Sequence, residues 1–186
     1  GRYYTDPNNP EKYYDNSMGD ASKRRDFAPI VKTVYNKMKK ILFDEMNFNK
    51  ATYTVISMVD NLLNCEYNHD MTQMITSRSL KDPSSYKNPK MVPQLVLAMR
   101  HKKRNPGYQI QSGARIQYGF HEKFDTKNPG AGENIEIPDY IVKNKLHLDV
   151  MHYAKHIIDA TSPIIEMEIP YGKHLFDEMI KKQKIR

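Results

Sequence analysis

The stretch DFAPIVKTVYNKMKKIL, residues 26–42, decides the fold class of this chain. Its apolar residues recur at the spacing of one helical face, and they are Phe27, Ile30, Val31, Val34, Tyr35, Met38, Ile41 and Leu42. The lysines of the stretch lie mostly off that face. Asp26 is a candidate N-cap, and Pro29 is tolerated in the first turn of a helix. The stretch therefore predicts an amphipathic helix that buries one side.

A second apolar stripe follows a short connection at residues 45–48. Asn49 is its candidate N-cap, and the stripe consists of Ala51, Val55, Met58, Val59, Leu62 and Leu63. Helices joined by so few residues are predicted to pair antiparallel. A further helix is predicted from Asp149 until Pro163 breaks or kinks it, with an apolar face of Val150, Tyr153, Ala154, Ile157 and Ile158.

Between these helices the pattern indicates a small sheet and a third helix. MTQMITSRSL, residues 71–80, predicts an extended segment, and RIQYGF alternates with Ile116, Tyr118 and Phe120 on one face. The stretch YKNPKMVPQLVLAMRHKKRNPG, residues 86–107, predicts a helix with Pro93 near its first turn. The apolar residues of that helix are Val92, Leu95, Val96 and Met99.

The remaining segments are predominantly polar. RYYT, residues 2–5, predicts a strand, and the rest of residues 1–22 predicts a loop. Residues 124–138 also predict a loop, and residues 137–146 a short helix. The final residues, HLFDEMIKKQKIR, form a basic amphipathic stretch. The sum predicts a mainly helical α+β domain.

Composition narrows the function classes. The 186 residues carry a net charge of +7 with a pI of about 9.3, which favours a polyanionic partner. The single cysteine, Cys65, excludes a disulfide within the chain and a thiolate metal cluster, and it is predicted to lie in the core. No apolar run approaches the length of a membrane span. We therefore expect a soluble, intracellular protein without a membrane partner.

Catalytic motifs are absent from the sequence. It contains no glycine-rich phosphate loop, nucleophile elbow or acid–base carboxylate pair. The best metal candidates are His152 and His156, four positions apart on one helical face, with His147 nearby. Zinc requires further ligands, so partly buried histidines without a metal are the simpler interpretation.

Cations gather in several places, among hydroxyl-bearing residues. Such groups contact nucleic-acid phosphates, and here they are Lys23, Arg24, Arg25, Arg78, Lys87, Lys90, Arg100, His101, Lys102, Lys103 and Arg104. Each cluster taken alone is better explained as a solvated surface, and only the recurrence of several clusters favours nucleic-acid backbone binding. The run at 100–104 has a further explanation, because cations at a helix C-terminus interact favourably with the helix dipole.

Five motifs occur in an order that is typical of one family. They are KRRDFAPIVK, MITSRSL, YKNP followed by KKRNPG, GARIQYGF, and GENIEIPDYI followed by LHLDVMHYAKHI. Over residues 20–165 they resemble the thumb domain of family B DNA polymerases, with the end of the palm before it. The sequences of these motifs most resemble those of polymerases of large nucleocytoplasmic DNA viruses. Departures from the family pattern occur at Gln94, Ala114, Asn134 and His152.

The resemblance implies a thumb-like helical domain with a small antiparallel sheet. It implies the end of the palm and a junction loop at residues 1–22, the thumb at 23–170 and a basic tail at 171–186. Such thumbs hold primer–template duplex DNA by its phosphates, independently of sequence. Carried over, the DNA-binding residues are Lys23, Arg24, Arg25, Ser77, Arg78, Tyr86, Lys87, Lys103, Arg104 and Arg115. Arg115 is either a phosphate contact or the internal partner of a carboxylate.

The resemblance also implies what lies elsewhere. The palm motifs D-x-x-S-L-Y-P-S and Y-G-D-T-D-S, whose aspartates hold two Mg²⁺ ions, do not occur in this sequence, so no cofactor is expected in this chain. We expect it to be inactive alone and to work with the remaining palm, fingers and exonuclease domains, and with a processivity factor. The start at Gly1 favours a fragment over a subunit of a split polymerase.

The expected location is the site of viral replication in the host cell or nucleus. The alternative function is a standalone basic module that binds nucleic acid or a protein.

Overall fold

The computed structural model describes residues 3–6, 9–15, 20–64, 70–122 and 130–185. The helices are α1 (Pro29–Asp44), α2 (Phe48–Leu63), α3 (Pro93–Arg104), α4 (Pro138–Lys143), α5 (Val150–Ile165) and α6 (Asp177–Ile185). The strands are β1 (Tyr3–Asp6), β2 (Asn9–Asp15), β3 (Thr76–Ser79), β4 (Arg115–Phe120) and β5 (Ile135–Glu136). The predicted fold class, mainly helical with a small antiparallel sheet, is confirmed. None of the described helices is both long and apolar enough to cross a bilayer.

The N-terminal strands form an antiparallel hairpin. Tyr3 pairs with Asp15, and Tyr4 pairs with Tyr14. The predicted strand is therefore present, but the prediction of a loop after it is wrong for Asn9–Asp15. The intrinsic strand propensity of this segment is low because it contains Asn and Pro. Its pairing with β1 supplies the backbone hydrogen bonds that stabilise it as a strand.

Helices α1, α2 and α5 pack together around the larger apolar core, and we call them, with α6, the bundle. Val31, Val55 and Ile157 are completely buried in it. The predicted stripes of these helices are thus confirmed as core faces. Cys65, predicted to be a core residue, lies outside the described residues.

Both N-caps predicted at the start of the bundle are wrong. Helix α1 starts at Pro29 with Ala28 as its N-cap, because the Asp26 carboxylate is bound by Arg24 instead. Helix α2 is capped by Asn47, whose side chain accepts from the Lys50 N–H at 2.9 Å. Helix α5 begins where predicted, and Asp149 is its N-cap, since the Asp149 side chain accepts from His152 N–H at 2.8 Å.

The C-terminal segment belongs to the bundle. After a 3₁₀ helix at Gly172–Phe176, α6 lies against α2. The Phe176 ring is completely buried in the bundle core, with Met179 and Ile180 packed against the same core. A Cβ at Gly172 would lie 2.7 Å from the Ile165 side chain, so this approach requires glycine.

The second part of the molecule, which we call the sheet lobe, comprises β3, β4 and β5 with α3 and α4. The strand order is β3-β4-β5, all antiparallel. Its apolar core is smaller and consists of Leu80, Leu97, Ala98, Ile116, Tyr118 and Ile135. Strand β4 was predicted correctly, whereas β5 lies in a segment predicted to be a loop.

The exposed side of α3 differs from the prediction. Met99, predicted to face the core, is 52% exposed, while Leu97 and Ala98 are buried. The helix is short and contacts a narrow sheet, so few of its positions need to be apolar. Periodicity alone could not determine which side would pack.

Tyr153 joins the two parts. Its hydroxyl accepts from the Phe120 N–H of β4 at 2.8 Å and donates to the Met74 carbonyl, just before β3, at 2.8 Å. Burial raises the pKa of this hydroxyl strongly, so it remains a donor at any ordinary pH. A side chain of the bundle therefore positions both long strands of the sheet lobe.

Candidate nucleic-acid interface

The first predicted cluster, at residues 23–26, is organised by Asp26. Arg24 donates from two nitrogens to the Asp26 carboxylate, with the Nε–Oδ1 distance at 3.0 Å. The same guanidinium lies 4.5 Å above the Phe27 ring. This arginine, through its hydrogen bond, lowers the pKa of Asp26 to about 2. Lys23 and Arg25 are exposed beside this ion pair.

Arg78 belongs to the same neighbourhood. It lies beside the Tyr118 hydroxyl and contributes to the lowered pKa of Asp26. The strand pairing explains this position, because Arg78 faces Ile116 and shares the inner face of the sheet with Tyr118. The structure thus brings together Arg24 and Arg78, which are far apart in sequence.

Ser77 lies on the other face of the sheet, with Arg115. The Arg115 Nε donates to Ser77 Oγ at 2.9 Å, and Nη2 donates to the Ser77 carbonyl at 3.0 Å. The internal partner of Arg115 is therefore a serine rather than a carboxylate. Side chains alternate along a strand, so Ser77 and Arg78 point in opposite directions and cannot contact the same phosphate group together.

A buried carboxylate, Glu136, binds two of the cations at the basic end of α3. This side chain is 3% exposed and accepts from Arg104 Nη1 at 2.8 Å, with Arg100 Nε at 3.3 Å. Arg104 also lies 3.8 Å above the Tyr140 ring. Arg100 and Arg104 therefore bind towards β5 and α4, although Arg104 stays partly exposed, and Lys102 and Lys103 are exposed as well.

Two further contacts complete this arrangement. Arg100 Nη2 donates to the carbonyls of Gly132 and Ile135, the former at 3.0 Å. Glu136 Oε1 accepts from the Ile137 N–H at 3.1 Å. Glu136 was missed from the sequence, since its only local signal is an Ile-Glu-Ile alternation that is too short to indicate a strand.

Tyr86 and Lys87 lie in the turn before α3. The Tyr86 hydroxyl accepts from the Lys81 N–H at 2.8 Å, which closes a turn over residues 81–86 that ends where the YKNP motif begins. Asp82 caps the 3₁₀ helix within it by accepting from Ser84 N–H at 2.9 Å. Tyr86 thus has an internal partner, and Lys87 is exposed.

An open groove of about 430 Å³ runs between α3 and the start of α4. Ser77, Arg115 and Gln117 from the outer face of the sheet line it, together with His101, Tyr108, Ile116, Ile137 and Pro138. The His101 and Tyr108 rings meet edge to face, with their centroids 4.5 Å apart.

The histidines considered as metal ligands pack against aromatic rings. His152 stacks on Phe120 at 3.7 Å, and His156 lies 4.2 Å from His152 and 5.7 Å from Phe27. Burial lowers the pKa of His156, which favours its neutral form. Among the described residues, no three His, Cys, Asp or Glu side chains come close enough together to hold a metal ion.

Comparison with solved structures confirms the fold. The chain matches the family B DNA polymerase from the hyperthermophilic archaeon Pyrobaculum calidifontis with a TM-score of 0.57 at 19% identity. The match covers 77% of this chain and 18% of that one.

Sequence comparison identifies relatives in viruses and eukaryotes. The chain is 34% identical to the DNA polymerase of Acanthamoeba polyphaga mimivirus, over 94% of this chain and 10% of that protein. It is 35% identical to the DNA polymerase of Pyramimonas orientalis virus, over 76% of this chain and 12% of that protein. It is 28% identical to the DNA polymerase delta catalytic subunit of Plasmodium falciparum, over 95% of this chain and 15% of that protein. The chain therefore spans no more than 15% of the length of these relatives.

The family model for DNA polymerase family B matches residues 1–167. This match covers all five motifs and confirms the family that they predict. The chain belongs to DNA polymerase family B.

Proposed function

We propose that this chain is the thumb region of a replicative DNA-directed DNA polymerase and that it grips the primer–template duplex by its phosphates. The observation that carries the proposal is the distribution of cations in the sheet lobe. Arg115 lies on the outer face of the sheet, and the exposed Lys102 and Lys103 at the end of α3 line a separate groove with Gln109 and Ile110. Family membership supports DNA as the polyanion.

The types of residue suit phosphate contacts rather than base reading. Lysine, arginine and serine hydroxyls bind phosphate oxygens, which carry no sequence information. A polymerase has to move over any sequence, so contacts of this kind are physically required. Because each phosphate contact releases condensed counterions, the affinity for DNA should fall steeply as the salt concentration rises.

The predicted DNA-binding residues fall into two groups. We propose that the first group contacts DNA directly, and it comprises Lys23, Arg25, Ser77, Lys87, Lys103 and Arg115. The second group comprises Arg24, Arg78, Tyr86 and Arg104, and we propose that their contacts within the protein position the first group.

Nucleotidyl transfer in this proposal belongs to the rest of the polymerase. That reaction uses two Mg²⁺ ions held by aspartates, and the described residues bring no such carboxylates together. The partners of this chain in the proposal are the palm, fingers and exonuclease domains, and similarity to viral polymerases supports a role where viral DNA is copied.

The experiment is a salt titration of duplex binding, measured by fluorescence anisotropy with a labelled primer–template. Two duplexes of unrelated sequence should bind equally. The double substitution Lys102→Ala and Lys103→Ala should weaken both equally and reduce the log–log salt slope by about 1 for each phosphate that is no longer neutralised.

The matched control removes the same charge from the bundle, at the exposed residues Lys37 and Lys40 of α1. This control should leave the slope nearly unchanged. Equal effects of the two double substitutions would show that only net charge matters. Absence of duplex binding at low salt would reject the thumb role and favour a protein-interaction module.

A further inference from the structure

The groove between α3 and α4 has two kinds of lining that lie side by side. Its floor is polar and cationic, with Ser77, Arg115 and Gln117, and one wall is aromatic, with His101 and Tyr108. Ile137 and Pro138 form an apolar wall. None of the lining residues carries a negative charge.

We propose that this groove is a subsite for one nucleotide of single-stranded DNA. The phosphate binds Arg115 and Ser77, and the unpaired base lies against Tyr108. The proposal deepens the proposed function and rests on it for the identity of the polymer as DNA.

The aromatic wall favours a single strand over a duplex. In a duplex the faces of the bases are hidden by stacking, so a side-chain ring can stack only on a base that has left the helix. Aromatic side chains beside a cationic groove are the usual means of binding single strands. The phosphate-contacting residues of the proposed thumb surface require no such ring, which sets Tyr108 apart from them.

The Tyr108 ring is held in place before any ligand arrives. It contacts the His101 ring edge to face, with an interplanar angle of 76°. The Asn105 side-chain amide lies 3.2 Å from His101 Nδ1 and fixes the imidazole in turn, and the Tyr108 N–H donates to the Asn105 carbonyl at 2.9 Å. A fixed ring loses little conformational entropy on binding.

The cationic floor retains hydrogen-bond donors on Arg115 and Ser77 after these two side chains have bonded to each other. The bonds from Arg115 to Ser77 use two of the five guanidinium N–H groups. The Ser77 hydroxyl accepts one of these bonds and keeps its own proton to donate to a phosphate oxygen. Arg115 is exposed, so a phosphate can approach it without displacing protein.

Glu136 keeps the two walls at a fixed separation. His101 lies on α3, and Ile137 directly follows Glu136, which binds Arg100 and Arg104 of α3. The volume of about 430 Å³ lies towards the lower end of the roughly 300–1,000 Å³ of small-ligand sites. It therefore suits a single nucleotide rather than a longer packed segment.

The test compares three labelled probes by anisotropy: a short oligo-dT, an abasic phosphodiester oligomer of the same length, and a blunt duplex. Tyr108→Leu should weaken oligo-dT binding about tenfold, the size of the effect expected when one base–aromatic stack is removed. It should leave the abasic oligomer and the duplex within about twofold, by the same argument that neither offers a base face. Tyr108→Phe should retain oligo-dT binding.

The matched control is Tyr53→Leu, which removes a 72% exposed tyrosine from α2 of the bundle and should change none of the three affinities. Unchanged oligo-dT binding by Tyr108→Leu would overturn the proposal, as would equal weakening on all three probes. The thumb role is tested separately, by the salt titration of duplex binding with the lysine double variant. A failure of that experiment can therefore be distinguished from a failure of the proposed single-strand subsite.

A second measurement does not depend on the folding of a variant. Oligo-dT that carries 5-iododeoxyuridine is photo-crosslinked to the unaltered chain, and the adduct is located by mass spectrometry. An adduct at Tyr108 or His101 is the expected result. Adducts confined to other residues would overturn the proposal.

Discussion

The bundle and the sheet lobe are held together by different interactions. The bundle buries aliphatic side chains from three long helices and adds the Phe176 ring from its C-terminal segment. The sheet lobe has a smaller apolar core and relies in addition on Glu136, which is shared by two arginines of α3. Its stability therefore depends on the same residue types that a DNA-binding surface needs.

This difference explains the run of charge at the end of α3. The helix dipole accounts for part of the preference for cations there, but it does not distinguish one cation from another. Glu136 does, because it binds Arg100 and Arg104, whereas Lys102 and Lys103 project into solvent. One short sequence thus supplies both a structural anchor and a proposed phosphate contact.

The largest effect is expected in the bundle. Phe176→Ala should lower the free energy of unfolding by about 3–5 kcal/mol, because it removes a fully buried ring and leaves a cavity. Urea unfolding followed by circular dichroism measures it. A decrease below about 1 kcal/mol would show that the C-terminal segment is not part of the cooperative core, since surface substitutions produce changes of that size.

A smaller effect is expected from the anchor of the sheet lobe. Glu136→Ala should cost about 2 kcal/mol, less than the 3–5 kcal/mol typical of a fully buried pair, because both arginines keep some solvent contact. Hydrogen exchange should show the reduced protection first in β5 and α4. Glu136→Gln retains the acceptor for the Ile137 N–H and separates charge from hydrogen bonding.

The exposed pair between Lys173 and Asp159 in the bundle provides the control. Both side chains are more than half exposed, so Lys173→Ala should change the free energy of unfolding by less than about 0.5 kcal/mol. If Glu136→Ala were no more destabilising than this control, the buried carboxylate would not be the anchor of the sheet lobe.

An effect smaller than that of Glu136→Ala is expected at Asp26, between the two parts. Its pKa is lowered from 3.8 to about 2 by the hydrogen bond from Arg24. A lowered pKa stabilises the folded state above about pH 4, and this contribution disappears as the pH falls from about 4 to about 2. Because Arg24 is mostly exposed and salt screens the pair, the contribution should not exceed about 1 kcal/mol.

The measurement is the difference in unfolding free energy between the unaltered chain and Asp26→Asn, taken from about pH 6 down to about pH 2.5, a range that spans the titration of the carboxylate. The difference should shrink towards zero at the acid end and should be smaller in high salt. A difference that is independent of pH would mean that the aspartate acts through packing rather than charge.

The helices of the bundle could be predicted because their signal is local. Apolar residues at a spacing of three and four report a buried face regardless of what covers it. The caps were less predictable: Asp26 had the right residue type, but Arg24, two residues away, competes for its carboxylate. In α3 the prediction of Met99 as a core residue was wrong because periodicity alone does not determine which side of the helix packs on the sheet.

The division of the predicted DNA-binding residues could not have been predicted. Ser77 and Arg78 are adjacent in sequence, yet strand pairing places them on opposite faces of the sheet. Strand β5 consists of two residues, too few for alternation to be recognised, and it holds the carboxylate that decides the direction of Arg100 and Arg104.

By itself the sequence determined the family, the helical faces of the bundle and the places where cations gather, because motifs and periodicity are properties of neighbouring residues. Only the tertiary structure decided which cations bind a buried carboxylate, since the partner of Arg104 lies 32 residues away along the chain. It also decided that Ser77, Arg115 and Tyr108 line one groove. Ion pairs and grooves form between segments that are distant in sequence, and the fold alone brings those segments together.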